Sequence, residues 1–208
     1  MPPVLYFCQL EEVAWLILSM YITLMPVVLA GIANMKVLKS SWLKTWQTPI
    51  DNGRVWRDGR PFFGANKTWR GAVGMVICSV AAMVLWGGIC RIFPYLEQRN
   101  QFYIFNRNTV LFNSFVGALL GVAYILFELP NSFIKRRMNI SPGKAAYVTN
   151  PWKYMWLDQM DSLFGCALVL WIFYPLSFEQ YLGYVFLGAA THLGINVILV
   201  KIGWKKAI

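Results

Sequence analysis

The sequence predicts an all-α integral membrane protein with five transmembrane helices and large cytoplasmic loops. Three observations predict it. The 208-residue chain is 58% hydrophobic and only 13% charged, too poor in charge to cover a water-soluble surface of this size. Five stretches meet or approach the ~20 apolar residues that one helical crossing of a bilayer needs. Basic residues gather in alternate connections between those stretches, the pattern of a polytopic protein with its positive side in the cytoplasm. Strand-length alternation with aromatic girdles is missing, so a β-barrel is not expected. One membrane domain, residues 1–208, uses the whole chain, and nucleic acid is not expected as a partner.

The first span is expected near Val13–Ala33. Glu11 and Glu12 stand where a signal peptide would carry basic residues, and the apolar run exceeds a signal core, so it is read as a membrane helix. Pro26 lies inside it and should kink it. A connection (34–70) follows, carrying Lys36, Lys39, Lys44, Arg54, Arg57, Arg60, Lys67 and Arg70. Its Trp42, Trp46, Trp56, Phe62, Phe63 and Trp69 need burial, so it is expected to be an ordered cap with turns at Asp51-Asn52-Gly53 and Asp58-Gly59.

The second span is expected at Gly71–Ile92 and the third at Thr109–Leu129, joined by a polar, aromatic loop without evident chemistry. Gly117 and Gly121 are spaced for close helix packing, within the chain or at a possible homodimer seam. A second basic connection (130–160) carries Lys135, Arg136, Arg137, Lys144 and Lys153, with a surface loop expected over Asn139–Met155. The fourth span is expected at Asp161–Phe178, ended near Pro175, and the fifth at Tyr181–Gly203, followed by Lys205 and Lys206. The opposite side has only Arg91, Arg99 and Arg107, so the N-terminus is expected outside and the C-terminus in the cytoplasm. The locale is a multi-pass cell membrane, the inner one if the cell is bacterial. Cys8, Cys78, Cys90 and Cys166 form no Cys-x-x-Cys pair and are read as small apolar side chains.

Chemistry concentrates in three places. Leu157-Asp158-Gln159-Met160-Asp161-Ser162 sets two carboxylates on one helix face at the mouth of a span. Two anions so close need a cation between them, and acids at a membrane helix usually mark function. A hard divalent ion, Mg²⁺, suits two carboxylates plus substrate phosphates. Glu128-Leu129-Pro130-Asn131-Ser132-Phe133-Ile134-Lys135-Arg136-Arg137 joins a carboxylate and a polar pair to three cations. Gly64-Ala65-Asn66-Lys67-Thr68-Trp69-Arg70-Gly71 sets small polar residues and two cations at a helix start, where an anion is favoured; the plainer alternative is a capped helix with snorkelling basic residues. His192 and Asn196 share a face of the fifth span and are read as interhelical hydrogen-bonding groups.

Taken together, Glu128-Leu129, Ser132 and Ile134-Lys135-Arg136, followed by Leu157-Asp158 and Asp161-Ser162, resemble the CTP-dependent cytidylyltransferases that make CDP-activated lipids. The closer resemblance is to the small five-span branch typified by CDP-archaeol synthase, at Asp58-Gly59-Arg60-Pro61, Gly64, Asn66 to Gly71 and Asp158-Gln159-x-Asp161. Glu128 stands where the family usually has Asp, and the Gly-His-Gly-Gly run of phosphatidate enzymes is missing.

The resemblance implies CMP transfer from CTP to a lipid phosphate, releasing pyrophosphate at a cytoplasmic-facing site. It leaves phosphatidate and a glyceryl ether phosphate both open. It implies Asp158, Asp161 and Glu128 as Mg²⁺ ligands, and Lys67 and Lys135 as catalytic cations. Asn66, Thr68, Arg70, Asn131, Ser132, Arg136 and Arg137 would bind substrate. A non-catalytic lipid transporter or lipid-binding protein is the alternative; a CDP-alcohol phosphotransferase would need more aspartates on one helix than the two present.

Overall fold

The computed structural model describes residues 3–142 and 151–203, with side chains over 11–142 and 156–203. The helices run α1 (Pro3–Lys39), α2 (Trp69–Ile92), α3 (Pro94–Arg99), α4 (Gln101–Ile104), α5 (Val110–Arg137), α6 (Pro151–Phe173) and α7 (Phe178–Lys201), with one 3₁₀ turn at Lys44–Trp46. Five of them are long and apolar enough to cross a membrane. Thr68, Thr109 and Ser177 cap α2, α5 and α7 by accepting backbone N–H groups, and Ser177 forms a reciprocal capping box with Gln180.

Five boundaries differ by five residues or more from those expected. α1 starts at Pro3, ten residues before Val13, α6 ends at Phe173, five before Phe178, and three others shift as follows. α1 continues to Lys39. α5 runs eight residues beyond Leu129, straight through Pro130, to Arg137. A proline inside a membrane helix is tolerated; Pro130 leaves one carbonyl, that of Leu126, without its helical N–H. α6 starts at Pro151, ten residues before the expected Asp161, with proline at the helix start where its missing N–H costs nothing. The aspartate pair therefore sits about two turns inside a helix, not at its mouth. Of the surface loop expected over Asn139–Met155, residues 151–155 are helical and 143–150, with Lys144, lie outside the described residues; so do Lys205 and Lys206 and the side chains of Cys8 and Lys153.

α2 is flanked by α1 and α5, and α6 by α5 and α7. A Cβ at Gly117 would lie 2.7 Å from Ser79 O and Val80 Cα, and one at Gly121 2.6 Å from Val76 Cα. The glycine stripe thus brings α5 onto the backbone of α2 within one chain, and is not the dimer seam that sequence alone allowed. Met83, Val116, Leu120, Cys166, Tyr184 and Val185 fill the core below it.

The 93–109 connection seals the end away from the candidate site. Gln101 N–H donates to Thr23 Oγ1 at 3.0 Å, Tyr184 OH donates to Gln101 Oε1, and Asn113 Nδ2 donates to Asn108 Oδ1 at 2.8 Å. Buried polar groups are tolerable only when paired in this way.

The 40–68 segment is ordered as expected, and both predicted turns form, with Asn52, Gly53 and Gly59 at positive φ. Its tryptophans are not buried, however: Trp42, Trp46, Trp56 and Trp69 remain 41–47% exposed, as suits rings at a membrane interface. Order comes instead from Asp51, which accepts N–H groups from Gly53, Phe63 and Gly64 at 3.0, 2.9 and 3.1 Å, and from Phe62 and Trp56 against Phe133 of α5. Burial alone pushes the Asp51 carboxyl up, but those backbone donors outweigh it and hold the group below the ordinary aspartate value. The stabilisation is therefore present above about pH 4, near the unfolded value, and is lost as pH falls through the lower folded value. Protection of the Phe63 and Gly64 amides against hydrogen exchange, taken relative to the intrinsic rate at each pH, should fall in acid in the native protein. In Asp51→Ala that protection should already be low at neutral pH, without the acid step.

Candidate active site

The last three turns of α5 present Glu128, Asn131, Ser132, Lys135 and Arg136 at spacings of three and four, so they share one face. α6 presents Asp158, Asp161 and Ser162 by the same rule. Where the two faces meet, one amide group serves both acids. Asn131 Nδ2 donates to Asp158 Oδ1 and to Asp161 Oδ2, each at 2.8 Å. Lys135 Nζ forms an ion pair with Asp158 Oδ2. Two acids expected to need a cation between them are thus bridged by a neutral amide, with a lysine on one of them. Among the described residues, Asp161, 9% exposed, accepts from neutral donors alone, Asn131 Nδ2 and the Ser162 N–H.

The cap contributes Lys67, whose Nζ lies 2.6 Å from Glu128 Oε1. Lys67 and Lys135 therefore reach the same end of the bundle. Asn66, Lys67, Thr68, Glu128 and Asp158 all line one cleft of ≈ 320 Å³. Among the described residues no three Cys, His, Asp or Glu side chains gather as a metal-ligand cluster, and Glu128 is held by Lys67 instead of joining the aspartates.

Four expected substrate contacts are used by the protein itself. Arg70, 4% exposed, donates to Trp42 O at 3.0 Å and to Val37 O and Ser40 O at 2.7 Å. It caps the C-terminal carbonyls of α1, where a cation also suits the helix dipole. Arg137 pairs with Asp58 at 3.0 Å, donates to Pro61 O at 2.6 Å and lies over the Phe133 ring, fastening the cap to α5. Thr68 Oγ1 accepts Gly71 N–H at 3.2 Å, the capped helix start that was the plainer reading of that stretch. Ser132 bonds to its own helix. Arg136 is 5% exposed, and among the described residues its Nε and Nη1 have no hydrogen-bond partner and no carboxylate pairs with it, whereas Arg137 has Asp58 and Pro61 O.

The cleft wall also holds residues that sequence reasoning set aside or passed over. His192 lies edge-on to Tyr124 with ring centroids 6.4 Å apart, and Asn196 Nδ2 donates to Gln159 Oε1 at 2.8 Å. The interhelical bonding expected of Asn196 is present, yet both residues face the cleft together with Gln159, Tyr124 and Asn34. Gln159 had a signal, since it stands between the two aspartates.

A family model described as CarS-like: CDP-archaeol synthase matches residues 12–208. The CDP-archaeol synthase of Pyrococcus furiosus is 32% identical over 76% of this chain and 82% of its own. That of Pyrococcus horikoshii is 32% identical over 95% of this chain and 96% of its own. A solved structure described as an intramembrane enzyme for archaeal membrane lipids biosynthesis superposes with a TM-score of 0.58 at 21% identity, covering 85% of this chain and 92% of that one, which agrees with the five-helix fold. With nearly the whole sequence matched, this multi-pass membrane chain belongs to the CarS-like, CDP-archaeol synthase family.

Proposed function

We propose that the protein transfers CMP from CTP to the phosphate of a glyceryl ether lipid, at a site on the cytoplasmic face. The observation that carries this reading is the Asn131-bridged aspartate pair beside the Lys67–Glu128 pair: Lys67, Glu128 and Asp158, from three elements, line one cleft, and Asp161 is buried behind Asp158 on the shared Asn131 amide. The names of the relatives favour an ether lipid over phosphatidate. The basic residues of the cap and of the α5 terminus favour the cytoplasmic side.

In the reaction an oxygen of the lipid phosphate bonds to the α-phosphorus of CTP, the bond from that phosphorus to the bridging oxygen breaks, and pyrophosphate leaves with its electron pair. The attacking oxygen is already anionic, so no protein base is needed. Positioning and charge neutralisation carry most of such a transfer. Lys67 and Lys135 would turn from their carboxylates to phosphate oxygens, Asn66 would orient the triphosphate, and a phosphate oxygen would satisfy Nε and Nη1 of Arg136.

The donor set fits Mg²⁺. Three carboxylates face two lysines before any phosphate arrives, so hard oxygen ligands are present and the acids outnumber the lysines paired with them. Asp158 and Asp161 would hold the ion, with Glu128 available once Lys67 has turned to substrate. Bound there, it would offset charge developing on the triphosphate.

The test is incorporation of α-labelled CTP with a glyceryl ether phosphate and with phosphatidate supplied separately. Labelled CDP-lipid and one pyrophosphate per lipid, preferentially with the ether, are expected. Lipid movement without CTP consumption would establish the transporter instead. Lys67→Ala should raise KM for CTP or lower kcat by about 10- to 100-fold, the range for a lost hydrogen bond to a charged group; unchanged constants would remove Lys67 from the site.

A further inference from the structure

The five long helices form an incomplete ring: α1–α2, α2–α5, α5–α6 and α6–α7 pack extensively, whereas α7 meets α1 only sparsely. Two openings follow one another along that seam. At the site end, Asn34 and Met35 of α1 and His192 and Asn196 of α7 line the polar cleft. Farther along the same two helices, Leu16 and Met20 of α1 and Gly183, Phe186, Leu187 and Ala190 of α7 line an apolar groove of ≈ 680 Å³.

We propose that this groove holds a hydrocarbon chain of the lipid phosphate, and that the lipid reaches the cleft sideways, between α1 and α7. The inference rests on the lipid-phosphate reading above and adds where the chain lies. The order of chemistry along the seam matches a molecule whose polar head and apolar chain are covalently joined. On α7 the change is abrupt, since Ala190 belongs to the groove and His192 to the cleft.

The sequence also leaves room there. Gly183, Leu187, Ala190 and Gly194 recur at spacings of four, three and four, so they lie on one face of α7. A Cβ at Gly194 would meet nothing within 4 Å, Ala190 is exposed, and the nearest atom to a Cβ at Gly183 is the flexible Met20 Cε at 3.3 Å. From His192 to Gln180, at the far edge of the groove, the helix advances roughly 18 Å at about 1.5 Å per residue. That is ample for a lipid chain, since one leaflet is about half of a ~30 Å hydrocarbon core.

Bilayer and groove are equally apolar, so occupancy depends on shape, and filling the groove is the direct test. Ala190→Trp should raise KM for a glyceryl ether phosphate with long isoprenoid chains at least about tenfold more than KM for a four-carbon-chain analogue or for CTP, the order of discrimination one altered apolar contact gives. Leu85→Trp, the same residue placed on a 68%-exposed position of α2, should change none of these constants. A second measurement does not depend on turnover. A long-chain glyceryl ether phosphate with a diazirine near the chain terminus, photolysed in proteoliposomes, should label peptides carrying Met20 or Leu187, and Ala190→Trp should abolish that label. Labelling spread over lipid-facing positions such as Leu85, or a KM change in Ala190→Trp equal for long and short chains, overturns the proposal. Intact labelling with no CTP consumption would instead strike the cytidylyl-transfer reading and leave the groove standing.

Discussion

Asp158→Asn and Asp161→Asn should each reduce CMP transfer about 10³-fold or more, the order lost with one strong electrostatic contact to a transition state, while the bundle stays folded. Either asparagine keeps an oxygen where Asn131 Nδ2 now donates, so the α5–α6 contact persists. What disappears is charge. At Asp161 a buried carboxylate held by neutral donors is exchanged for a neutral amide, but the new NH₂ group then faces the Ser162 N–H donor to donor, so Tm should fall modestly as turnover is lost. At Asp158 the loss leaves Lys135 without its anion, and a modest fall in Tm should accompany the loss of turnover. Melting in detergent together with labelled-CTP incorporation separates the two effects. A variant of unchanged Tm that retains a tenth of native activity would take that aspartate out of the chemistry.

The parts of this arrangement that sequence discloses are those set by local rules. Bilayer thickness fixes the length of an apolar span, and all five spans appear. Helical spacing puts Asp158 with Asp161, and Glu128 with Asn131 and Lys135, on single faces whatever the rest of the chain does. Misread features depend on what stands opposite in space. Arg70 looked like a phosphate ligand because it lies beside Lys67, yet its acceptors are carbonyls some thirty residues earlier at the end of α1. Arg137 follows Lys135 and Arg136 in a basic run, but a helix turns successive residues by about 100°, so it faces Asp58 of the cap while Lys135 faces Asp158. The third span was expected to end at Leu129 and the fourth to begin at Asp161, whereas α5 runs on through Pro130 and α6 opens at Pro151. His192 and Asn196 carried no sign of which polar groups the other four helices would bring to the same cleft.

The glycine seam should be as unforgiving as the carboxylates, through the fold instead of the chemistry. Gly117→Leu or Gly121→Leu places side-chain atoms inside the backbone of α2, where the nearest atoms at 2.6–2.7 Å are a carbonyl oxygen and Cα carbons that no rotamer change can move. The helices must separate, and overpacking of this kind costs about 3 kcal/mol or more. A large fall in Tm, or failure to recover a monodisperse protein in detergent, is the expected result. Gly88→Ala makes the contrast, since a Cβ there meets nothing within 4 Å and alanine is the better helix former by about 1 kcal/mol. It should leave Tm unchanged or higher. If Gly117→Leu melts like the native protein, the close approach of α2 and α5 is wrong. The consequence reaches the site, because Lys67 stands two residues before α2 and Glu128 stands on α5, so their 2.6 Å ion pair depends on those helices lying backbone to backbone.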